Sequence, residues 1–207
     1  FAGNPTKTRR WTTSSGFKVF RDPVHGDLVL SASLLALLDT REIQRLRGIR
    51  QLGTANLVYP GAVHTRFDHS LGTCAVASRM LDVLEKAGVR LDSELRQVIL
   101  AAALVHDVGH IPFGHTIEDE RRLFPRHDTP ARLRRFLRHG ELGRELRRQG
   151  LTEPVQALLE GRAELPWSAE LISGTVCADL LDYLARDAFF CGLPQRYDER
   201  IFRNFRI

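Results

Sequence analysis

The sequence has few cysteines, hardly any lysine and no long apolar run. Its three cysteines, Cys74, Cys177 and Cys191, are odd in number and lie in apolar sequence, which does not suit a disulfide framework. We therefore expect buried, reduced thiols, as in a cytoplasmic protein. No stretch of about 18 apolar residues occurs, so no membrane span is expected.

Motifs of several common enzyme classes are also missing. The sequence contains no GxxxxGK[ST] phosphate loop, no CxxC pair and no GxSxG nucleophile elbow. These absences weigh against P-loop ATPases, zinc ribbons and serine hydrolases.

The positive charge of the chain comes almost entirely from arginine. Only three of the 30 basic residues are lysine, and the formal net charge is +5. Because arginine presents a planar fork of donors that matches phosphate, this excess is compatible with a nucleotide or a weakly bound nucleic acid. For the arginine-rich stretch 132–148 we favour a solvated helix face instead.

Length and patterning predict one all-α domain with a minor N-terminal β hairpin. The 207 residues are 43% apolar and 27% charged, which is ordinary for a globular chain. Alternating apolar positions around Pro23 and Gly26 indicate the hairpin over 18–30. Helical periodicity then predicts helices from Ser31, over 68–86, from Asp92 or Ser93 to just after His106 and Asp107, and over 116–124, 130–138, 141–149, 154–160 and 168–190.

Four scattered residues form an H…HD…D pattern, namely His69, the adjacent His106 and Asp107, and Asp179. Two imidazoles and two carboxylates suit a divalent transition metal that keeps open coordination positions. Six of the eight histidines fall between residues 64 and 127. A core that needed only apolar mass would not favour such clustering, so we interpret it as an active site.

The predicted last helix carries a polar stripe of Asp179, Tyr183 and Asp187, each four residues from the next. A metal at Asp179 and a ligand at Tyr183 and Asp187 would offset the cost of burying them. In this interpretation Leu180, Leu181 and Leu184 pack the core, and Arg186 borders the polar face. The alternative is an exposed helix edge with Arg186 as counter-ion.

Further candidates suit phosphate chemistry. Arg66 lies three residues before His69 and shares its helix face, so it can hold a phosphate next to the metal. His110, His115 and His127 can exchange protons near neutral pH. Together these residues predict metal-assisted hydrolysis of a phosphate ester or anhydride.

Five sequence blocks, in order, resemble the HD-domain superfamily, and within it the branch of deoxynucleoside triphosphate triphosphohydrolases. They are DPVHGDLVL, DTREIQRLRGIRQLG, YPGAVHTRFDHSLG, LVHDVGHIPFGH and ADLLDYLARDAFFCG, and they extend from about Lys18 to Gly192. The resemblance implies an HD-domain helical bundle over 18–207, after a loose segment 1–17. Relatives of this branch continue past the end of this chain, so we expect a missing C-terminal continuation.

The resemblance also implies roles for individual residues. It assigns one ion of iron, manganese, zinc or magnesium to His69, His106, Asp107 and Asp179, while further magnesium can accompany the nucleotide. It assigns Arg66 to the phosphates, His127 to protonation of the leaving group, and Glu118 to orienting that histidine. His110 and His115 match further active-site histidines, and Gln51, Leu52, Tyr183 and Asp187 match residues that line the sugar and base pocket.

A regulatory nucleotide site between subunits is implied at Lys18, Asp39, Gln44 and Arg47, together with a homo-oligomer. One position departs from the pattern, because Leu180 stands where relatives often carry a phosphate-binding lysine. We therefore keep open a phosphohydrolase or phosphodiesterase acting on another nucleotide or on oligonucleotides. The alternative from a different class is a regulator that binds nucleotides or nucleic acid without turnover.

Overall fold

The computed structural model describes residues 16–195 and 197–207. Within these ranges, a two-stranded antiparallel hairpin leads into ten α-helical segments, which confirms the all-α class with its minor hairpin. Residues 1–15 of the segment expected to be loose lie outside the described residues. The elements are β1 (Phe17–Asp22), β2 (Gly26–Ser31), α1 (Ala32–Leu38), α2 (Arg41–Gln44), α3 (Arg66–Lys86), α4 (Ser93–Val105), α5 (Pro130–Arg138), α6 (Gly140–Arg148), α7 (Thr152–Leu159), α8 (Pro166–Ser173), α9 (Ala178–Cys191) and α10 (Arg200–Arg203).

Helix α3 is the central element, and it packs against both α4 and α9. It begins with a capping box: the Thr65 side chain accepts from the Asp68 main-chain N–H, and the Asp68 carboxylate accepts from the Thr65 N–H. The helix ends at Lys86, just before Gly88, whose φ of 95° lies in the left-handed region. This cap fixes the first turn, which carries Arg66 and His69.

Helix α4 starts as predicted, but it ends just before His106 and Asp107 and not just after them. The Asp92 carboxylate accepts from the Leu95 N–H at 2.7 Å, and the helix ends at Val105. Its last five residues, 101–105, are fully buried alanines and branched aliphatic residues in the main core. A 3-10 turn, His106–Gly109, follows directly, so the His-Asp pair lies where a buried helix meets an irregular loop.

Two predicted helices differ from the structure. The helix predicted over 168–190 is interrupted, because Gly174 takes an extended conformation and the Cys177 sulfur caps α9 by accepting from the Leu180 N–H. Over 116–124 only one π-helical turn forms, Thr116–Glu120. The interruption places Asp179 in the first turn of a new helix.

The hairpin packs over the start of the bundle. Its turn is closed by the Asp22 carboxylate, which accepts from the N–H groups of Val24 and His25 at 2.9 and 2.8 Å. The inward residues Leu28 and Leu30 are buried in the main core. Among the described residues, no helix combines the length and the apolar character that a membrane crossing needs.

Candidate functional site

The four residues of the H…HD…D pattern meet at one point. The His69 Nε2 atom lies 2.9 Å from the Asp179 Oδ1 atom and 3.3 Å from the His106 Nε2 atom. Asp107 completes the group, with its oxygens 3.7 Å from His69 Nε2 and 3.5 Å from His106 Nε2. Helices α3 and α9 and the 3-10 turn after α4 therefore bring two nitrogens and two carboxylates around a common centre.

Contacts behind the imidazoles determine which nitrogen faces that centre. The His69 Nδ1 atom lies 2.7 Å from the Asp182 carboxylate, and the His106 Nδ1 atom lies 2.8 Å from the Ala103 carbonyl oxygen. Since both partners only accept, each Nδ1 carries a proton and donates. The Nε2 atoms are left to face inward, which is the arrangement that metal-binding histidines adopt.

Asp182 belongs to a buried charge network that the sequence analysis missed. Its carboxylate accepts from His25 Nε2 at 2.7 Å and from two nitrogens of Arg186 at 2.8 and 2.9 Å. Arg186 also donates to Asp22 at 2.9 Å, which ties the hairpin turn to α9. Gly72 permits this approach, because a Cβ there would overlap both Asp182 and Arg186.

Two predictions about the face of α9 were wrong. Arg186 does not border the polar face, because it is fully buried between Asp182 and Asp22. Leu184 does not pack the core, because 47% of its surface is exposed, whereas Leu181 is buried as predicted. A buried acid–base pair at positions i and i+4 looks the same in sequence as an exposed one, which explains the error.

Arg66 lies beside the cluster, as its spacing from His69 indicated. Its Nη1 atom donates to Asp107 at 2.7 Å, and the guanidinium is nearly fully buried. The positive charges of His106 and Arg66 hold the pKa of Asp107 well below its usual range, although burial alone would raise it. Asp107 is therefore an anion under ordinary conditions.

A second group of histidines lies next to Asp107. The rings of His110 and His127 are stacked with their centroids 3.5 Å apart, and His110 Nε2 lies 3.2 Å from an Asp107 oxygen. The His127 Nδ1 atom lies 3.0 Å from the Glu118 carboxylate, which also accepts from the His127 main-chain N–H. Burial lowers the pKa of both His110 and His127 to about 4.

His115 lies at the outer edge of this group. Its ring meets His110 and His127 edge-on at 5.2 and 5.4 Å, and its Nδ1 atom lies 2.7 Å from the Asp119 carboxylate. About half of its side chain is exposed. Of the three histidines it is therefore the one that meets solvent.

Unsatisfied buried groups concentrate at the site. Among the described residues, seven buried side-chain atoms lack a hydrogen-bond partner, and four of them belong to residues predicted for the site. Because native proteins satisfy nearly all buried polar groups, such a concentration indicates a place built for a ligand. The four atoms are Gln51 Oε1, Arg66 Nε, His110 Nδ1 and Glu118 Oε1.

The donor set fits a divalent metal ion. The ligand atoms of His69, His106 and Asp179 all lie within 4.8 Å of one another, and the Asp107 oxygens lie beside them. Hydrogen bonds with Asp179 and Asp182 outweigh the effect of burial and raise the pKa of His69 to about 10. The raised pKa means that the His69 Nε2 atom carries a proton in the metal-free protein. A metal at this centre would displace that Nε2 proton, since only the deprotonated nitrogen is a ligand.

The residues predicted to line the nucleoside pocket are divided between two segments. Tyr183 and Asp187 follow Asp179 at one-turn intervals along α9, and all three are partly exposed. Gln51 and Leu52, also partly exposed, lie in the loop between α2 and α3. That loop is joined to α9 through the hydrogen bond between His64 and Asp187.

The residues predicted for a regulatory site are not all brought together. Gln44 accepts from Arg47 Nε at 2.8 Å, and the Arg47 guanidinium lies 3.5 Å above the Phe67 ring. Lys18 projects from β1 above the Phe20 ring, and Asp39 caps the end of α1. In the described part of the chain, the side chains of Lys18 and Asp39 form no hydrogen bond with Gln44 or Arg47.

The comparisons with known proteins agree with this architecture. The family model described as HD domain matches residues 66–187. An uncharacterized protein of Bacillus subtilis, YwfO, is 39% identical over 91% of this chain and 44% of its own length. The deoxynucleoside triphosphate triphosphohydrolase SAMHD1 of Mus musculus is 30% identical over 91% of this chain and 34% of its own length.

A solved structure gives the same result. The crystal structure of a phosphohydrolase from Bacteroides thetaiotaomicron superposes with a TM-score of 0.69 at 30% identity, over 85% of this chain and 42% of that one. The chain belongs to the HD-domain phosphohydrolase family, whose HD domains bind divalent metals. It spans less than half the length of the curated relatives it matches.

Proposed function

We propose that this protein is a metal-dependent triphosphohydrolase that converts deoxynucleoside triphosphates to deoxynucleoside and inorganic triphosphate. The observation that carries the proposal is the arrangement around Asp107. Its Oδ2 atom lies near both His69 and Arg66, and its Oδ1 atom lies near both His106 and His110. Metal ligands, a phosphate-binding cation and acid–base groups thus share one carboxylate, and the mouse relative is named for this reaction.

The ion would be held by His69, His106, Asp107 and Asp179, and its identity among iron, manganese, zinc and magnesium is left open. When bound, a divalent cation polarises a phosphoryl oxygen and activates water. Asp182 and the Ala103 carbonyl keep the two imidazoles in the tautomer that binds metal. Arg66 has an unpartnered Nε donor beside this centre, which suits a phosphate oxygen.

His127 would protonate the leaving group. Glu118 holds its Nδ1 atom, so the Nε2 atom faces Asp107 and the phosphate region. With a pKa of about 4, the ring is neutral in the free protein. A bound triphosphate adds negative charge and raises that pKa, so that Nε2 can deliver a proton to the departing sugar oxygen. His110 and His115 would line the phosphate path.

The nucleoside part of the substrate would lie along α9 and the facing loop, against Tyr183, Asp187, Gln51 and Leu52. A regulatory nucleotide would bind at Lys18, Asp39, Gln44 and Arg47 in a homo-oligomer, where a neighbouring subunit supplies the remaining contacts. Magnesium would accompany the nucleotides.

One observation favours a different nucleotide as the substrate. Leu180, next to Asp179, provides no cation for a triphosphate, so a shorter phosphate chain or a phosphodiester fits the same centre. This second candidate keeps the metal ligands and the His127–Glu118 pair but changes the product.

Product analysis separates the candidates. The protein is incubated with all four deoxynucleoside triphosphates, manganese and magnesium, and the products are resolved by anion exchange. We expect deoxynucleoside and intact triphosphate. Orthophosphate or pyrophosphate would indicate the second candidate, and retained metal without turnover would favour a nucleotide-binding regulator.

Variants connect the products to the site. His106→Ala and Asp107→Ala should lose both metal and turnover, at least a hundredfold in rate, because each removes a ligand. His139→Ala is the matched control, since this exposed histidine lies between α5 and α6, outside the site. Wild-type turnover in either ligand variant would contradict the proposal.

A further inference from the structure

His64 is a fully buried histidine outside the metal cluster. Its Nε2 atom lies 2.8 Å from the Asp187 Oδ1 atom, and its ring stacks on Phe190 with centroids 4.7 Å apart. Its other nitrogen, Nδ1, has no hydrogen-bond partner. An apolar ring would fill this space without the cost of an unsatisfied nitrogen, so packing alone does not account for a histidine here.

The hydrogen bond leaves Asp187 with one oxygen for a ligand. A carboxylate only accepts, so the His64 Nε2 atom carries the proton and donates to Oδ1. Among the described residues, no side chain or main-chain group donates to Oδ2, and about a quarter of the Asp187 side chain is exposed. The histidine thus orients Asp187 so that its second oxygen, which has no donor among the described residues, lies on the partly exposed side of α9.

The same residue also holds the loop that faces α9. The His64 carbonyl oxygen accepts from the Gln51 N–H at 3.1 Å, within the short β-bridge that pairs Arg50 with Thr65. The loop approaches α9 closely, because a Cβ on Gly61 would stand 2.6 Å from the Phe190 carbonyl oxygen. One residue therefore connects Gln51 to Asp187.

We propose that His64 is a positioning residue of the nucleoside subsite, which orients Asp187 and Gln51 so that both can bind a hydroxyl group of the sugar. The proposal rests on the proposed function, since it assigns the subsite to the nucleoside of that substrate. His64 itself does not touch the substrate.

The test compares two substitutions at His64. His64→Phe keeps an aromatic ring on Phe190 but removes the donor, and His64→Gln places an amide N–H near the position of Nε2. We expect His64→Phe to raise the KM for the deoxynucleoside triphosphate about tenfold, as for loss of one oriented charged hydrogen bond. His64→Gln should restore most of that loss.

Two readouts separate positioning from general damage. Inorganic triphosphate contacts only the phosphate region, so its inhibition constant should be equal in wild type and His64→Phe. In an Asp187→Asn background, His64→Phe should have little further effect, because the two side chains act as one unit. If His64→Phe fails to fold, His64→Asn, whose amide is too short to reach Asp187, should raise the KM in its place.

The outcomes distinguish this proposal from the proposed function. Wild-type protein that neither cleaves the nucleotide nor binds it in equilibrium dialysis overturns both. If the wild type cleaves or binds it and His64→Phe behaves identically, only the role of His64 is overturned. A loss that persists undiminished in the Asp187→Asn background, or that raises the inhibition constant of triphosphate equally, also overturns it.

Discussion

Asp182 lies behind His69, where its two oxygens are shared among His25, His69 and Arg186. These hydrogen bonds and the charge of Arg186 hold its pKa well below the usual range, although burial alone would raise it. The carboxylate therefore stays ionised and fixes the proton of His69 on Nδ1. An orienting carboxylate of this kind raises the basicity of a metal-binding imidazole.

We expect Asp182→Asn to lower metal affinity about ten- to a hundredfold, since a neutral amide orients His69 less strongly. The variant should also lose stability of the order of 3 kcal/mol, because Arg186 stays buried with only Asp22 as an anionic partner. Metal content after dialysis against a weak chelator and urea unfolding measure the two effects. Asp198→Asn, at an exposed acid paired with Arg200, should change neither. Full metal retention in Asp182→Asn would contradict this role.

The candidate metal ligands are easier to recognise in the sequence than the residues that hydrogen-bond to them and orient them. His69, His106, Asp107 and Asp179 were recognisable because their chemistry and order are unusual, and the structure brings them together. Asp182 and His25 were not identified and Arg186 was placed wrongly, since their roles depend on contacts across 113 to 164 positions of chain. Gly72 in α3 was the available signal, because a glycine inside a long helix often marks a close approach.

At the scale of elements, the starts of α1 and α4 were predictable, because an oxygen-bearing side chain caps each of these helices. Ser31 and Asp92 accept from the N–H groups three residues later, as local sequence suggested. The interruption before α9 was not predicted, because the apolar periodicity continues across it and a cysteine is an unusual cap. The prediction of a regular helix over 116–124 was wrong for another reason. The Glu118 side chain points inward and binds His127, and this contact favours the wider π-helical turn.

The N-terminal caps of α3 and α4 allow a matched comparison. Thr65→Ala and Asp92→Ala should each cost about 1 kcal/mol in the free energy of unfolding, because each removes one capping acceptor. Only the α3 cap adjoins site residues, since Arg66 and His69 lie in its first turn and His106 lies at the far end of α4. Thr65→Ala should therefore weaken metal retention and turnover severalfold, and Asp92→Ala should not. Equal losses of turnover at equal stability would show that the first turn of α3 has no special role.

At the scale of the whole molecule, most arginines of the stretch 132–148 bind to partners within the protein. In the stretch 132–148, Arg134, Arg138 and Arg148 form ion pairs with Glu160, Glu153 and Glu145. Arg132 donates to the Gly109 and Pro125 carbonyl oxygens and so supports the loop that carries the second histidine group. This pairing favours the solvated-face interpretation of the stretch over a binding surface for nucleic acid.

The buried histidines should make the stability of the metal-free protein fall on acidification. His110 and His127 have a folded pKa of about 4, below the unfolded value of about 6.5. Between those values the unfolded chain binds more protons than the fold, so each histidine removes up to about 1.4 kcal/mol per pH unit as the pH falls. The raised pKa of His69 stabilises the folded state fully below about pH 6.5, and this stabilisation is lost only as the pH rises toward 10. His69 therefore does not change the slope of stability between about pH 4 and pH 6.5. Urea unfolding at a series of pH values measures the slope.

His127→Gln isolates one of these contributions. The glutamine amide does not titrate, so the free energy of unfolding of the variant should fall less steeply than that of the wild type between about pH 6 and pH 4. The difference in slope should approach that of one proton, about 1.4 kcal/mol per pH unit. Above about pH 7.5 His127 is neutral in both states of the wild type, and the two stability curves should therefore run parallel there. Parallel curves through the acidic window as well would mean that the folded His127 accepts a proton as readily as the unfolded one. The stacked pair with His110, enclosed against Asp107 and Glu118, would then not exclude the charged imidazole as its burial requires.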